Sequence, residues 1–126
     1  MTLHTIQKQK LLAEPYSDDA LKLARAIYST YVKDEKDPYM KIKTSIVIKL
    51  LKLEDHENPL LYIKMLLEEL NEPIAVKNFK YYANIYPVRL LTFCTYTLDA
   101  EYLELELNEE FLHAEKEYMT DPFLSH

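Results

Sequence analysis

The side chains best suited to chemistry lie near the C-terminus, where a histidine stands among acids. Glu110 and His113 have the Glu-x-x-His spacing, which places a carboxylate and an imidazole on one face of a helix. Glu109 and Glu117 lie four residues before and after His113, on the same face. A di-iron helical bundle needs a second such motif, and the sequence has none. We therefore interpret His113 as a solvated side chain and predict no metal site.

The one cysteine, Cys94, lies between Phe93 and Thr95 in an apolar segment. A free cysteine in such a setting usually packs as a small hydrophobic side chain, so we predict no nucleophilic role. One cysteine cannot form an internal disulfide, and the fold therefore does not depend on an oxidising compartment. No apolar run is long enough to cross a bilayer and no targeting signal is recognisable, so we expect a cytoplasmic protein without membrane contact.

The chain contains no glycine. Phosphate-binding P-loops, dinucleotide fingerprints, nucleophile elbows and EF-hand loops all need glycine for a sharp turn or a close backbone approach. We therefore predict no cofactor and no catalytic residue of these classes. The same absence disfavours tight hairpins and glycine-terminated helix ends, and so favours helices joined by short polar turns.

Apolar residues recur every three or four positions in five segments, each of which is predicted to be a helix. These segments are 18–33, 38–53, 59–71, 74–86 and 100–119. Ser17 is predicted to cap the first helix, and Pro38, Pro59 and Pro73 stand where a first helical turn tolerates proline. The sequence thus predicts an all-α fold, a compact bundle of five to seven short helices. We expect one domain over 1–126, with a short helix or arm at 1–16 and a frayed tail at 120–126.

A second interpretation concerns residues 90–107. The segment 90–98 is rich in β-branched and aromatic residues, and 103–107 alternates leucine with glutamate, so the two could pair around Asp99 and Ala100. These two turn residues lack the glycine or asparagine that a two-residue turn favours. An α+β winged-helix fold with a hairpin in 90–107 is therefore the alternative to the helical bundle.

The uneven distribution of charge predicts how the chain contacts partners. Residues 99–126 contain nine acids and one lysine, and six glutamates there are predicted to lie on an acidic C-terminal helix that binds a partner. They are Glu101, Glu104, Glu106, Glu109, Glu110 and Glu117. The chain also has eleven tyrosines, and tyrosine is enriched at interfaces. We predict a non-catalytic protein-binding or regulatory module that acts through an aromatic face or this acidic helix.

The expected partner of the acidic helix is a protein, including one with a basic nucleic-acid-binding groove. Self-association is also expected, since short amphipathic helices in a small chain often leave an apolar face for a symmetric copy.

The alternative function is a winged-helix-like DNA-binding regulator. Residues 74–98 contain three basic side chains and no acid. The residues assigned to nucleic acid in this interpretation are Lys77, Asn78, Lys80, Tyr81 and Arg89, the first four on the second helix of a helix-turn-helix. The net charge of -6 and the glutamates of the supposed wing oppose this alternative, because they repel phosphates.

Overall fold

A computed structural model describes residues 16–118 of the chain, and it shows an α+β fold. The elements, in chain order, are α1 (Asp18–Lys33), β1 (Tyr39–Lys43), α2 (Thr44–Leu50), α3 (Pro59–Leu70), β2 (Ile74–Tyr81), β3 (Asn84–Leu91), β4 (Cys94–Leu98), β5 (Tyr102–Leu107) and α4 (Glu109–Tyr118). The strands form two antiparallel sheets, one of order β1-β5-β4 and one hairpin of β2 and β3. The predicted all-α bundle of five to seven helices is therefore wrong.

Two of the predicted helices are present with nearly the predicted bounds, because their first residues carry clear capping signals. α1 begins after Ser17, whose hydroxyl accepts a hydrogen bond from the Ala20 amide at 3.3 Å. α3 begins with Pro59, and the Asn58 side chain accepts from the Leu61 amide at 3.3 Å. The Ser17 amide and hydroxyl also donate to the Glu69 carboxylate at 2.6 and 2.8 Å, so the start of α1 is bound to the end of α3.

The predicted helix over 38–53 is wrong in its first third. Tyr39–Lys43 forms β1, in which Met40 is buried while Lys41 and Lys43 face solvent. α2 starts at Thr44, which is fully buried. The Thr44 hydroxyl donates to the carbonyl of Asp99 at 2.8 Å and its amide to the carbonyl of Glu101 at 3.0 Å. Thr44 thus fixes the junction of β1 and α2 to the turn between β4 and β5.

The predicted helix over 100–119 is wrong for its first half, where the central strand β5 lies. Leu103, Leu105 and Leu107 are buried, whereas Glu104 and Glu106 lie on the outer face of the sheet. This period of two is that of a strand with one buried face. The helix begins only at Glu109, and α4 buries Phe111 and Ala114.

The predicted helix over 74–86 is also wrong, since this segment contains β2 and the turn into β3. Val76 and Phe79 are both buried, although they lie three positions apart and a regular strand would put them on opposite faces. Asn78 has a φ of 55° and lies across from Pro87, which has no amide to donate. This local change of backbone direction returns Phe79 to the buried face.

Both hairpins turn tightly without glycine. In the first, Tyr82 takes a φ of 53°, and its ring packs edge-on against that of Tyr81 with centroids 4.7 Å apart. In the second, one Asp99 carboxylate oxygen accepts from the amides of Glu101 and Tyr102 at 2.8 and 2.9 Å. These two hydrogen bonds lower the pKa of Asp99. An aspartate side chain thus organises the turn that glycine or asparagine usually makes.

Two helices likewise end in left-handed residues that are not glycine. After α2, Lys52 has a φ of 58°, its amide donates to the Lys49 carbonyl, and the Leu53 amide donates to the Ile48 carbonyl. This pair of bonds defines a Schellman motif, whose left-handed position is usually glycine. Glu35 stands at the same position after α1, with a φ of 59°.

The hydrophobic core joins α1, α3 and α4 to the inner face of the three-stranded sheet. Its fully buried side chains include Leu23, Ile27, Ile63, Leu67, Phe93, Leu103 and Phe111. In the described range no helix is long and apolar enough to cross a membrane. Of the predicted arm at 1–16, only the buried Tyr16 is among the described residues, and the predicted tail at 120–126 lies outside them.

We expect Lys52→Gly to raise the free energy of unfolding by about 0.5–1 kcal/mol, because glycine adopts the left-handed conformation without a Cβ clash. Lys49→Gly, three residues earlier in α2, is the matched control and should lower the same quantity by up to about 1 kcal/mol. Urea denaturation followed by circular dichroism measures both changes. Destabilisation by both substitutions would contradict the assignment of Lys52 to a Schellman motif.

Candidate functional site

The β2–β3 hairpin exposes four large apolar side chains, three on β3 and Tyr82 in the turn. Their exposed fractions are 83% for Tyr82, 68% for Ile85, 57% for Val88 and 52% for Leu90. We call these four residues the hairpin patch. Single exposed apolar residues are common on protein surfaces, but a contiguous group usually marks an interaction site.

Strand pairing and the change of backbone direction at Asn78 place Ile85 and Val88 on one face, although they lie three positions apart in β3. Ile85 lies directly across from Lys80, and Val88 directly across from Lys77. Residues directly across an antiparallel pair project to the same side of the sheet. The hairpin patch is therefore bordered by two lysines, both of which are exposed.

The opposite face of the hairpin packs on α4 through a cluster of rings. Phe79 is fully buried at its centre, with ring centroids 5.8 Å from His113 and 5.7 Å from Tyr118. Tyr81 and Tyr86 lie 5.9 and 6.3 Å from Phe79. The Lys80 amide donates to the Tyr118 hydroxyl at 3.2 Å. Aromatic pairs at these distances stabilise a fold by more than the area they bury accounts for. Packing on α4 therefore stabilises the hairpin.

A bidentate ion pair adds a second link between the hairpin and α4. Arg89 donates from Nε and Nη2 to the two carboxylate oxygens of Glu110, at 2.8 and 3.1 Å. The guanidinium also lies 4.5 Å from the centre of the Tyr86 ring. The hydrogen bond to Glu110 and the negative charge of the Glu110 carboxylate both raise the pKa of Arg89. Such a planar pair fixes orientation as well as charge.

The structure brings the predicted nucleic-acid residues together, but on strands. Lys77, Asn78, Lys80 and Tyr81 belong to β2 and not to the second helix of a helix-turn-helix, and Arg89 belongs to β3. Lys77, Asn78 and Lys80 are exposed, whereas Tyr81 is half-buried. Arg89 already pairs with Glu110, which leaves the two lysines as the cations that the hairpin offers to a partner.

The predicted acidic residues do not lie on one helix. Glu101 belongs to the turn before β5, Glu104 and Glu106 lie on the outer face of β5, and Glu109, Glu110 and Glu117 lie on α4. Glu104 accepts a hydrogen bond from the Tyr39 hydroxyl at 2.7 Å and stands across from Lys41. The continuous acidic helix was wrong because the leucines between the glutamates follow a strand period.

The contacts of His113 and Cys94 indicate structural roles for both side chains. The His113 Nε2 lies 3.1 Å from the carbonyl oxygen of Lys80, within the ring cluster. Among residues 16–118 no group of three or more histidine, cysteine or acidic side chains could hold a metal ion. The Cys94 thiol is buried and accepts from the Asn71 amide group at 3.6 Å, while the Cys94 backbone amide donates to Asn71 Oδ1 at 2.8 Å.

Sequence reasoning identified the two lysines of the hairpin but missed Ile85, Val88 and Leu90. A strand with alternating apolar residues is ordinarily expected to bury them, and nothing in the sequence of β3 marks them as exposed. The sequence does carry a signal against a helix here and for a basic surface, because Pro87 breaks a helix and 74–98 contains no acid. Comparison with protein-family models, with curated proteins and with solved structures gave no match.

We expect the Cys94 thiol to resist alkylation while the chain is folded. Burial raises its pKa from 9.0 to about 11, so its thiolate fraction at pH 8 falls by about 100-fold relative to the unfolded chain. Iodoacetamide labelling at pH 8, quantified by mass spectrometry with and without urea, measures this protection. Equal labelling rates in the two conditions would restore Cys94 as a candidate nucleophile.

Proposed function

We propose that this chain is a non-catalytic protein-binding module whose docking surface is the hairpin patch. The proposal is carried by one observation: four large apolar side chains of one hairpin, three of them on β3 and one in its turn, are more than half exposed. Removing such a surface from water favours association by roughly 25 cal/mol per Å² of apolar area. A partner that covers the patch would therefore gain hydrophobic free energy from each of the four side chains.

The support of the hairpin favours binding as well. The aromatic cluster and the pair between Arg89 and Glu110 hold the hairpin on α4 before any partner arrives. A surface already held in its binding conformation loses less entropy on association. Lys77 and Lys80 at the border of the patch favour a partner with carboxylates around an apolar centre.

This proposal keeps the predicted protein-binding role but assigns it to a mostly aliphatic surface, and it gives the predicted acidic surface a smaller part. Glu104 and Glu110 are already engaged within the chain, with Tyr39 and Arg89 respectively. A second copy of this chain remains a partner that the proposal allows. A cytoplasmic setting remains our expectation, since the one cysteine is buried as a thiol.

The double substitution Ile85→Asp with Val88→Asp should abolish partner binding, because it places two charges in the centre of an interface that must lose water. Ile46→Asp is the matched control, since Ile46 is 58% exposed on α2, outside the hairpin. Affinity capture with quantitative mass spectrometry, and light scattering for self-association, compare the three proteins. Circular dichroism shows that each is folded.

The proposal predicts a partner, or a dimer, that the control retains and the double variant loses. A partner held equally by all three proteins would refute it, as would a wild-type protein that retains neither a partner nor a second copy.

A second candidate is binding to duplex nucleic acid through the same hairpin. It is favoured by the exposure of Lys77, Asn78 and Lys80 on a segment without acids, and a two-stranded ribbon fits the major groove of DNA. The element order of the DNA-binding alternative is not kept, because the second helix assigned within 59–86 is the strand β2. The remaining helix of that pair, α3, has one cation, Lys64.

For this second candidate, Lys77→Ala with Lys80→Ala should weaken binding to a labelled DNA duplex and reduce the slope of log affinity against log salt by about two. Lys22→Ala with Arg25→Ala removes the same charge from the exposed face of α1 and serves as the control. Fluorescence anisotropy across a salt series gives both quantities. Equal losses in the two double variants would indicate attraction by general charge and exclude the hairpin as a specific site.

A further inference from the structure

We infer that the free edge of β4 and the neighbouring face of α3 form a groove that binds an extended peptide segment of a partner by strand addition. This groove is separate from the hairpin patch and does not depend on it. In strand addition, backbone hydrogen bonds to a sheet edge supply affinity, and pockets for alternate side chains supply specificity.

The edge is defined by the hydrogen bonds of β4. The Asp99 amide donates to the Tyr102 carbonyl and the Asn108 amide donates to the Phe93 carbonyl, which fixes the pairing at both ends of β4. Bonding alternates along an antiparallel pair, so odd-numbered residues of β4 direct their backbone groups to β5. The even-numbered residues, Tyr96 and Leu98 among them, direct theirs away from β5. Within residues 16–118 no strand pairs with that side of β4.

One hydrogen bond shows how the groove is closed at one end. The Cys94 amide, which also points away from β5, donates to the Asn71 side chain at 2.8 Å. Asn71 is the C-cap of α3, so the end of this helix stands beside the start of β4. Leu61 and Lys64, nearer the start of α3, stand beside Tyr96 and Leu98. α3 therefore runs along the edge as a wall.

The space between strand and helix is large enough for a ligand. It measures about 500 Å³ and is lined by Leu60, Leu61, Lys64, Tyr96, Thr97 and Leu98. Ligand sites commonly measure about 300–1,000 Å³ and combine apolar walls with a few polar groups. Among the described lining residues Lys64 is the one that carries a charge, which favours a ligand that pairs an apolar side chain with a carboxylate. Glu68 lies one turn further along α3, outside this lining.

The other described strand edges carry protection that β4 lacks. β1 contains Lys41 and Lys43, and the β2–β3 hairpin contains two lysines and Pro87. Lysine and proline on an edge are common means of preventing unwanted strand pairing. The sequence of β4, Cys-Thr-Tyr-Thr-Leu, has neither a charge nor a proline. A strand edge without such protection is available to pair with a strand of a partner.

The test uses a phage-displayed random-peptide library selected on the wild-type protein, followed by affinity measurement of the enriched peptides. Tyr96→Pro removes the ring and the outward amide, whereas the matched variant Tyr96→Ala removes the ring alone. We expect Tyr96→Pro to bind at least about tenfold more weakly than Tyr96→Ala, the loss expected for one backbone hydrogen bond. Lys64→Glu should weaken acidic peptides about tenfold, and Lys22→Glu on α1 should not.

Peptides that bind Tyr96→Pro and Tyr96→Ala equally would overturn the inference, as would selection of no peptide. Dimerisation that Tyr96→Pro abolishes would also overturn it, in favour of edge pairing between two copies. If Tyr96→Pro does not fold, the comparison of Lys64→Glu with Lys22→Glu decides. Unchanged binding to the Ile85→Asp and Val88→Asp variant separates this groove from the hairpin patch.

Discussion

The fold depends on the two-sided pairing of β5, the central strand of the larger sheet. β5 pairs with β1 on one side and with β4 on the other, and its leucines are buried beneath the sheet. A slip of one residue would expose all of these leucines and bury the glutamates between them, so the register is strongly specified. The turn that Asp99 organises and the anchor that Thr44 provides both follow from this register. The position of the β4 edge against α3 is set by the same pairing.

The absence of glycine shaped the turns without preventing them. Asp99 replaces glycine by a side-chain acceptor, while Tyr82, Lys52 and Glu35 take the left-handed conformation directly. A left-handed residue other than glycine costs about 1 kcal/mol, which the surrounding hydrogen bonds and packing must offset. Lack of glycine therefore does not exclude hairpins. The prediction of a helical bundle was wrong because it relied too strongly on the absence of glycine.

How much could be predicted depended on whether the ends of each element carried their own signals. α1 and α3 were predictable because Ser17 and Asn58 mark where each helix begins and the apolar period continues from there. In 100–119, Leu103, Leu107 and Phe111 are spaced by four and all are buried, but the first two lie on a strand and the third on a helix. A period of four is also two strand periods, so short apolar patterns satisfy both structures. Only the glutamates between the leucines distinguished them.

Only the charged residues of the candidate site could be predicted from the sequence. Lys77 and Lys80 follow from the acid-free segment 74–98, but exposure of Ile85 and Val88 depends on which face of the hairpin α4 covers. That contact is made by side chains distant in the sequence, such as Phe79 with His113 and Arg89 with Glu110. Pairing between distant segments is not visible in local periodicity.

The two proposed surfaces differ in the interaction that each can offer. The hairpin has exposed apolar side chains, but its edges carry lysines and Pro87, which disfavour the addition of another strand. Within residues 16–118, β4 has an open backbone edge with little exposed apolar area of its own, and α3 supplies the apolar wall. A partner should therefore pack side chains on the first surface and donate backbone hydrogen bonds at the second. Phosphates gain nothing from Ile85 and Val88, so the apolar part of the hairpin favours a protein over a nucleic acid, while its two lysines would serve either.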